Sequence, residues 1–310
     1  MTSRSKGLGR QLPLAIFVML AGVLLTLGWG SYRYLVTSLH EREVDRLRAI
    51  DDLKAQQVAA WFGARMADAR VLAGRPTALS VLSDTDGLHG LRTRRSLEQM
   101  QQAYGYLSIE LFDRDGVRVS VAGADLKGPN LLTGALLTRL DKTRQPELID
   151  FYRTANPAHP VGLVVVAAIY DLAEENSAVK GYAVLHIDPD RELYPMIQTW
   201  PVPSASAETE LVRLEDDHIT FLNRMRHSPA EPMTVRLAMA PKLPATQAIQ
   251  QPSTWGDGVD YRGVPVLFSS HVVPGTPWIM IAKIDRDEVL GELLGVDAAR
   301  LATLRDRQVI

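Results

Sequence analysis

The chain contains no cysteine among its 310 residues. That excludes disulfides, thiolate metal sites and a cysteine nucleophile. A surplus of positive charge is missing too: 34 basic residues stand against 36 acidic ones, a net charge of −2. No nucleic acid is expected as a partner, because such a binder needs a basic stripe or patch. Common catalytic motifs are also absent. There is no G-x-S-x-G elbow, no H-E-x-x-H and no G-x-x-x-x-G-K-[ST] phosphate loop, and the seven histidines include no pair at metal-ligand spacing. HEREV at His40 opens like a metal motif but ends in valine, on a stretch that reads as a solvated helix face. DRDG at Asp113 lacks the downstream ligands of a calcium loop and reads as a turn, as does DYRG at Asp260. No catalytic residue, metal or cofactor is expected, and the chain reads as a non-enzyme.

What is present begins with QLPLAIFVMLAGVLLTLGWGSY, which carries no charge between Arg10 and Arg33. Roughly 20 apolar residues, rising about 1.5 Å each, cross a hydrocarbon core about 30 Å thick. Arg4, Lys6 and Arg10 precede the run. The positive-inside bias then predicts a cytoplasmic N-terminus over 1–11, a transmembrane helix over 12–32, and the rest of the chain outside. Trp29, Tyr32 and Tyr34 fall where an interfacial aromatic belt belongs. A cleaved signal peptide would have a shorter apolar region and a small-residue cleavage site, and no A-x-A site follows Trp29.

Residues 33–74 contain no proline, and no glycine before Gly63. Leu39, Leu47, Ile50, Val58, Trp61, Phe62, Met66 and Leu72 recur near one side of a helix while charged residues fill the other, which predicts a long amphipathic stalk. The stripe suits packing on the chain's own domain above. Below, at Leu39, Leu47 and Ile50, it suits pairing with a second copy, so a homodimer is expected.

Beyond Pro76 the texture becomes mixed. YLSIELFDRDGVRVSVAG reads as strand, turn and strand, and VGLVVVAAIY with GYAVLHID as a second pair. After the linker WPVPSAS the pattern returns: ETELVRLEDDHITFL, MTVRLAM, GVPVLFSSHVV and PWIMIAKID. Each set ends on a related octapeptide, HIDPDREL from His186 and KIDRDEVL from Lys283. The expected fold class is therefore α+β, with two tandem antiparallel-sheet modules on one stalk. The expected divisions are 75–199 for the membrane-distal module, 200–290 for the membrane-proximal one and 291–310 for a C-terminal helical tail.

These residues resemble the double-Cache extracytoplasmic sensors, in which two PAS-like modules sit on one stalk helix. The phrases that carry the resemblance are WPVPSASAETELVR, FLNRMRH, DYRGVPVL and VPGTPW in the second module, with the Gly181–Asp188 strand and the topology in the first. The resemblance implies a periplasmic ligand-sensing region of a bacterial inner-membrane receptor, of the kind placed ahead of diguanylate cyclases, phosphodiesterases and histidine kinases. GELLGVDAARLATLRDRQVI is charged every few residues and cannot span a membrane as a second helix would. A separate cyclase or kinase is therefore expected as output partner, the alternative being a truncated or decayed receptor that acts as a structural or partner-binding module without ligand. The Tyr, Arg and Trp-Tyr signature of amino-acid-binding members is not recognisable, so no amino-acid ligand is carried over.

A sensor needs a pocket, and strand alternation predicts its polar face. Leu107, Ile109 and Leu111 would pack on the stalk, leaving Tyr106, Ser108, Glu110 and Phe112 on the other side. By the same parity Arg118 pairs with Ser120 on one face, and Tyr182 with His186. Adding Arg153, the candidate ligand-binding set is Tyr106, Ser108, Glu110, Arg118, Ser120, Arg153, Tyr182 and His186. One carboxylate among two arginines and several hydrogen-bonding groups predicts a small polar or anionic metabolite, such as an organic acid. The mostly apolar second module predicts a relay, with Trp255, Tyr261, Phe268 and Trp278 filling its core.

Overall fold

The computed structural model describes residues 8–82, 88–124, 126, 131–154, 156–174, 177–295 and 303. Helix α1 (Leu8–Ala73) runs unbroken for 66 residues, about 100 Å at a rise of 1.5 Å per residue. Within it, Ile16–Tyr34 is long and apolar enough to cross a bilayer, and none of that stretch is buried in the protein. Farther along, Val44, Leu47, Asp51, Ala55, Val58, Phe62, Ala69 and Leu72 face inward and are buried. These positions are three, four or seven residues apart, as on one face of a helix.

Two short helices, α2 (Pro76–Leu82) and α3 (Leu88–Tyr104), return the chain to the first sheet. That sheet contains β1 (Ser108–Asp113), β2 (Arg118–Gly123), β3 (Glu147–Arg153), β4 (Val161–Ile169) and β5 (Gly181–Ile187) in the order β2-β1-β5-β4-β3, with α4 (Gly134–Thr143) before β3. After α5 (Leu193–Gln198) come β6 (Glu208–Glu215), β7 (His218–Phe221), β8 (Arg236–Ala238), α6 (Pro244–Gln250), β9 (Trp255–Val259), β10 (Pro265–Val272), β11 (Ile279–Asp285) and α7 (Arg286–Leu294). The second sheet is ordered β8-β7-β6-β11-β10-β9. Apart from the extra edge strand β8, the two orders are the same, and every neighbouring pair is antiparallel. The expected pair of antiparallel modules on one helix is what forms, and the duplicated octapeptide ends the central strand of each.

Local chemistry accounts for the turns. At the β1–β2 hairpin, Asp113 Oδ1 accepts the backbone N–H groups of Asp115 and Val117 at 3.0 and 2.8 Å, and Gly116 takes φ +79°, a conformation that favours glycine. DRDG is a turn. Each sheet lays one face on α1. Ile109, Leu111, Leu163, Val165, Leu185 and Ile187 pack with Ala55, Val58, Ala69 and Leu72, whereas Leu267, Ala282 and Ile284 pack with Val44 and Leu47. Burying one such side chain contributes about 1.5–3 kcal/mol. This corrects the expected dimer seam. Leu47 and Ile50 are buried within their own chain, and the Leu39 side chain lies outside the described residues.

The modules meet at a junction with an aromatic centre. Trp278, in the turn before β11, is fully buried, with its ring centroid 4.9 Å from that of Phe151 in β3 and 6.5 Å from that of Phe62 in α1. Its Nε1–H donates to Asp150 Oδ1 at 2.7 Å, and Arg213 of β6 pairs with Asp150 Oδ2. Tyr194 of α5 donates to the Leu222 carbonyl at 2.6 Å. From the stalk, Lys54 Nζ donates to the carbonyls of Met196, Ile197 and Thr199 at 3.2, 2.6 and 2.7 Å, satisfying groups that the end of α5 leaves without intrahelical partners. Trp255, expected in the core, is instead 49 % exposed beneath the Arg48 guanidinium.

Candidate functional site

The first sheet turns its other face away from the stalk, toward α4. Val164, Val166, Ala168, Tyr182 and Val184 pack there with Leu136 and Leu140. At one end of this apolar layer the strands supply polar side chains instead. Ser108 of β1 stands opposite His186 of β5, and Glu110 opposite Val184. Ser108, Glu110 and His186 are all buried.

His186 holds the cluster together. Its Nδ1 lies 3.2 Å from the Tyr152 hydroxyl, and its Nε2 lies 3.7 Å from Glu110 Oε2. Arg118 Nη1 donates to Glu110 Oε1 at 3.2 Å from a side chain 37 % exposed, so the cluster runs from the interior to the surface. Burial, reinforced by the Glu110 charge, pushes the Tyr152 hydroxyl up to about 12, so it stays protonated and available as a donor. The Ser108 hydroxyl is buried without a hydrogen-bond partner among the described residues. Leaving such a group unpaired costs about 1–3 kcal/mol.

Four expected site residues, Ser108, Glu110, Arg118 and His186, are thus brought together. Tyr182 shares their face but belongs to its apolar part, its hydroxyl donating to Asp141 of α4 at 2.9 Å. Burial first, and that hydrogen bond second, push it up to about 12.

The other three residues lie elsewhere. Tyr106 precedes β1 and escapes its alternation; it packs on the stalk side, and its hydroxyl donates to Asp68 of α1 at 2.6 Å. Ser120 is turned over by a bulge: Leu111 pairs with Ser120 but Phe112 with Arg118, so Val119 is the extra residue and Ser120 shares the stalk face of Leu111. One inserted residue reverses the parity of everything beyond it. Arg153 pairs with stalk-facing Val161 and donates to the Pro232 carbonyl of the second module at 3.4 Å. Tyr152 escapes the reading by alternation because β3 is irregular, its register shifting between Ile149 and Tyr152. That same irregularity sends Asp150 and Phe151 to the inter-module junction while Tyr152 faces His186.

The second module is not merely apolar. On the face away from the stalk, Lys283, Glu208, Glu210 and Asp260 are all buried together. Among the described residues no group of His, Asp and Glu side chains is arranged to hold a metal ion.

No protein-family model matches the sequence, and no curated protein matches it. Solved structures do match its shape. The ligand-binding domain of the Campylobacter jejuni chemoreceptor Tlp3 in complex with L-norvaline aligns with a TM-score of 0.61 at 11 % identity, covering 81 % of this chain and 94 % of that one. The Tlp3 sensory domain with isoleucine bound gives 0.61 and 11 %, covering 83 % and 98 %. The ligand-binding domain of the Pseudomonas fluorescens chemoreceptor CtaA in complex with L-isoleucine gives 0.52 and 13 %, covering 84 % and 98 %. At such identities the likeness concerns the fold alone, two antiparallel-sheet modules of PAS-like arrangement on one stalk helix.

Proposed function

We propose that this chain is the extracytoplasmic signal-reception region of a bacterial membrane receptor, and that its membrane-distal module takes a small polar ligand beside Ser108, Glu110, Arg118 and His186. The observation that carries this is the buried, incompletely paired polar cluster on an apolar sheet face. Leaving that hydroxyl unpaired is a cost that a polar ligand atom beside it would remove. The fold agrees, since the solved neighbours are ligand-binding domains of chemoreceptors.

The cluster carries both signs of charge. Arg118 and the Tyr152 hydroxyl suit a ligand carboxylate, while Glu110 suits a hydroxyl or ammonium beside it and opposes a second negative charge. The ligand class is therefore a small amino or hydroxy acid. A shift at Tyr152 would reach the second module through Asp150 and Phe151, its neighbours in β3, which grip Arg213 and Trp278. Such a signal is driven only by the ligand's differential affinity for two arrangements of that junction.

The receptor pairs through the stalk's outer face. Ala49, Leu53, Ala60, Ala64, Ala67 and Val71 are exposed there, opposite the buried stripe. Anchoring in one bilayer confines two copies to a plane and raises their effective concentration.

The deciding experiment is a thermal-shift screen of the full chain in detergent against small amino, hydroxy and dicarboxylic acids. One class should raise the melting temperature, and Arg118→Ala should remove that rise while still melting cooperatively. A flat response to every acid, or a rise that survives both Arg118→Ala and His186→Ala, refutes the site.

A further inference from the structure

The strand registers superimpose the interiors of the two modules position by position. His186 stands opposite Ser108 and Val164 in the first sheet; Lys283 stands opposite Glu208 and Phe268 in the second. Two residues further along, Glu110 of β1 corresponds to Glu210 of β6, opposite Val184 and Ile281 respectively. The polar cluster of the first module therefore has a counterpart at the same place in the second. There, however, the space is taken.

Lys283 is fully buried, and its Nζ lies 2.5 Å from Asp260 Oδ2, 2.7 Å from Glu210 Oε1 and 3.2 Å from Glu208 Oε2. The Tyr261 ring centroid is 4.1 Å from the same nitrogen. Three carboxylates and an aromatic face are what a binding site for a primary alkylammonium offers. Burial works against this ammonium, but the attraction of Glu210, Glu208 and Asp260 outweighs it and holds Lys283 above its usual range. The surroundings stay rich in carboxyl groups even with the lysine present: Lys283 and Arg262 face Glu208, Glu210, Asp260 and Asp285, of which burial pushes Glu210 up to about 7.

We propose that Lys283 is a tethered ligand: its ammonium fills a primary-amine site in the membrane-proximal module, which therefore stays occupied and admits no external ligand. The tether makes occupancy an intramolecular event, against which a free amine cannot compete at ordinary concentrations. The apolar neighbours Phe268 and Ile281 share the face on which the lysine stem lies. Truncation at Cβ removes three carbons and a nitrogen, the heavy atoms of n-propylamine. This inference stands whether or not the first module binds anything.

The test is rescue of the full chain in detergent. Lys283→Ala should melt well below wild type, because three carboxylates lose their counter-charge. Added n-propylammonium should raise its melting temperature by at least about 3 °C more than equal concentrations of sodium, tetramethylammonium or n-propanol, while wild type stays unmoved. Should Lys283→Ala fail to fold, Lys283→Ala/Glu210→Gln buries one carboxylate fewer, and Glu208 and Asp260 remain to hold the amine. A preference for the primary amine in either variant supports the tethered ligand. No such preference in either, or an equal response from wild type, overturns it.

Discussion

Asp51 of the stalk and Ser269 of β10 meet inside the seam between α1 and the second sheet, where the hydroxyl donates to Oδ2 at 3.2 Å. Oδ1 has no hydrogen-bond partner among the described residues. Burial pushes this carboxyl up to about 8, with the Asp52 charge adding to the rise and Ser269 and Lys54 opposing it. A carboxyl raised in the folded state favours folding fully below its unfolded value near 4, and that contribution is lost as pH rises through about 8. Each tenfold change in proton affinity is worth about 1.4 kcal/mol, so holding Asp51 ionised in the seam costs several kcal/mol. Asp51→Asn should match wild type in melting temperature at about pH 4, exceed it increasingly from there to about pH 8, and keep a constant advantage above that. Thermal unfolding across that range checks this, and a difference constant throughout would mean that Asp51 does not titrate.

Single cysteines at Leu53, Ala60 and Ala67 should crosslink between copies in oxidised membranes. Cysteines at Leu47 and Ile50, buried against their own chain, should not. Thr138, exposed on α4, serves as the background. Crosslinking no greater than at Thr138 would remove the stalk as the dimer face.

Asp150→Ala strands the Trp278 N–H and leaves the Arg213 guanidinium with Glu215 alone, and should cost about 1–3 kcal/mol. Combined with Trp278→Phe, which removes the other half of one hydrogen bond, the losses should fall short of additive by about 1 kcal/mol. A double-mutant cycle in denaturant measures the coupling, and strict additivity would deny the contact any energetic role.

Alkaline phosphatase fused after Leu290 should be active in a bacterial host, because the positive-inside bias of Arg4, Lys6 and Arg10 predicts a cytoplasmic N-terminus. An inactive fusion with normal expression would reverse the orientation.

The sequence announces the elements whose alternating or continuous apolar runs end in recognisable turns. β1, β2, β4, β5, β10 and β11 are legible for that reason, and the repeated octapeptide reveals the duplication. β9, WGDGV, is not, because two glycines in five residues erase its alternation. β3 carries apolar residues at adjacent positions, Leu148 with Ile149 and Phe151 with Tyr152, and its irregular pairing places Phe151 and Tyr152 on opposite faces. For the site, parity serves as far as each strand is regular. It places Ser108, Glu110 and His186 correctly and fails at Ser120, beyond a bulge, and at Tyr106, before the strand begins. The Lys283 cluster did leave a signal: Glu208 and Glu210 alternate in ETELVR, and Lys283 interrupts IMIAKID at the slot His186 holds in the other octapeptide. Recognising it requires knowing that these two strands are neighbours.

The continuity of α1 sets a rule of spacing. A helix with no break between bilayer and first module transmits angle as faithfully as length, since each residue turns it by about 100°. One residue inserted between Ser38 and Arg42 would swing the outer face carrying Leu53 and Ala60 away from a partner still held by the membrane. Inserting seven, close to two full turns, would nearly restore that face while lifting both modules by about 10 Å. Viewed as a shaft, the stalk tolerates changes of length only in steps of its own pitch.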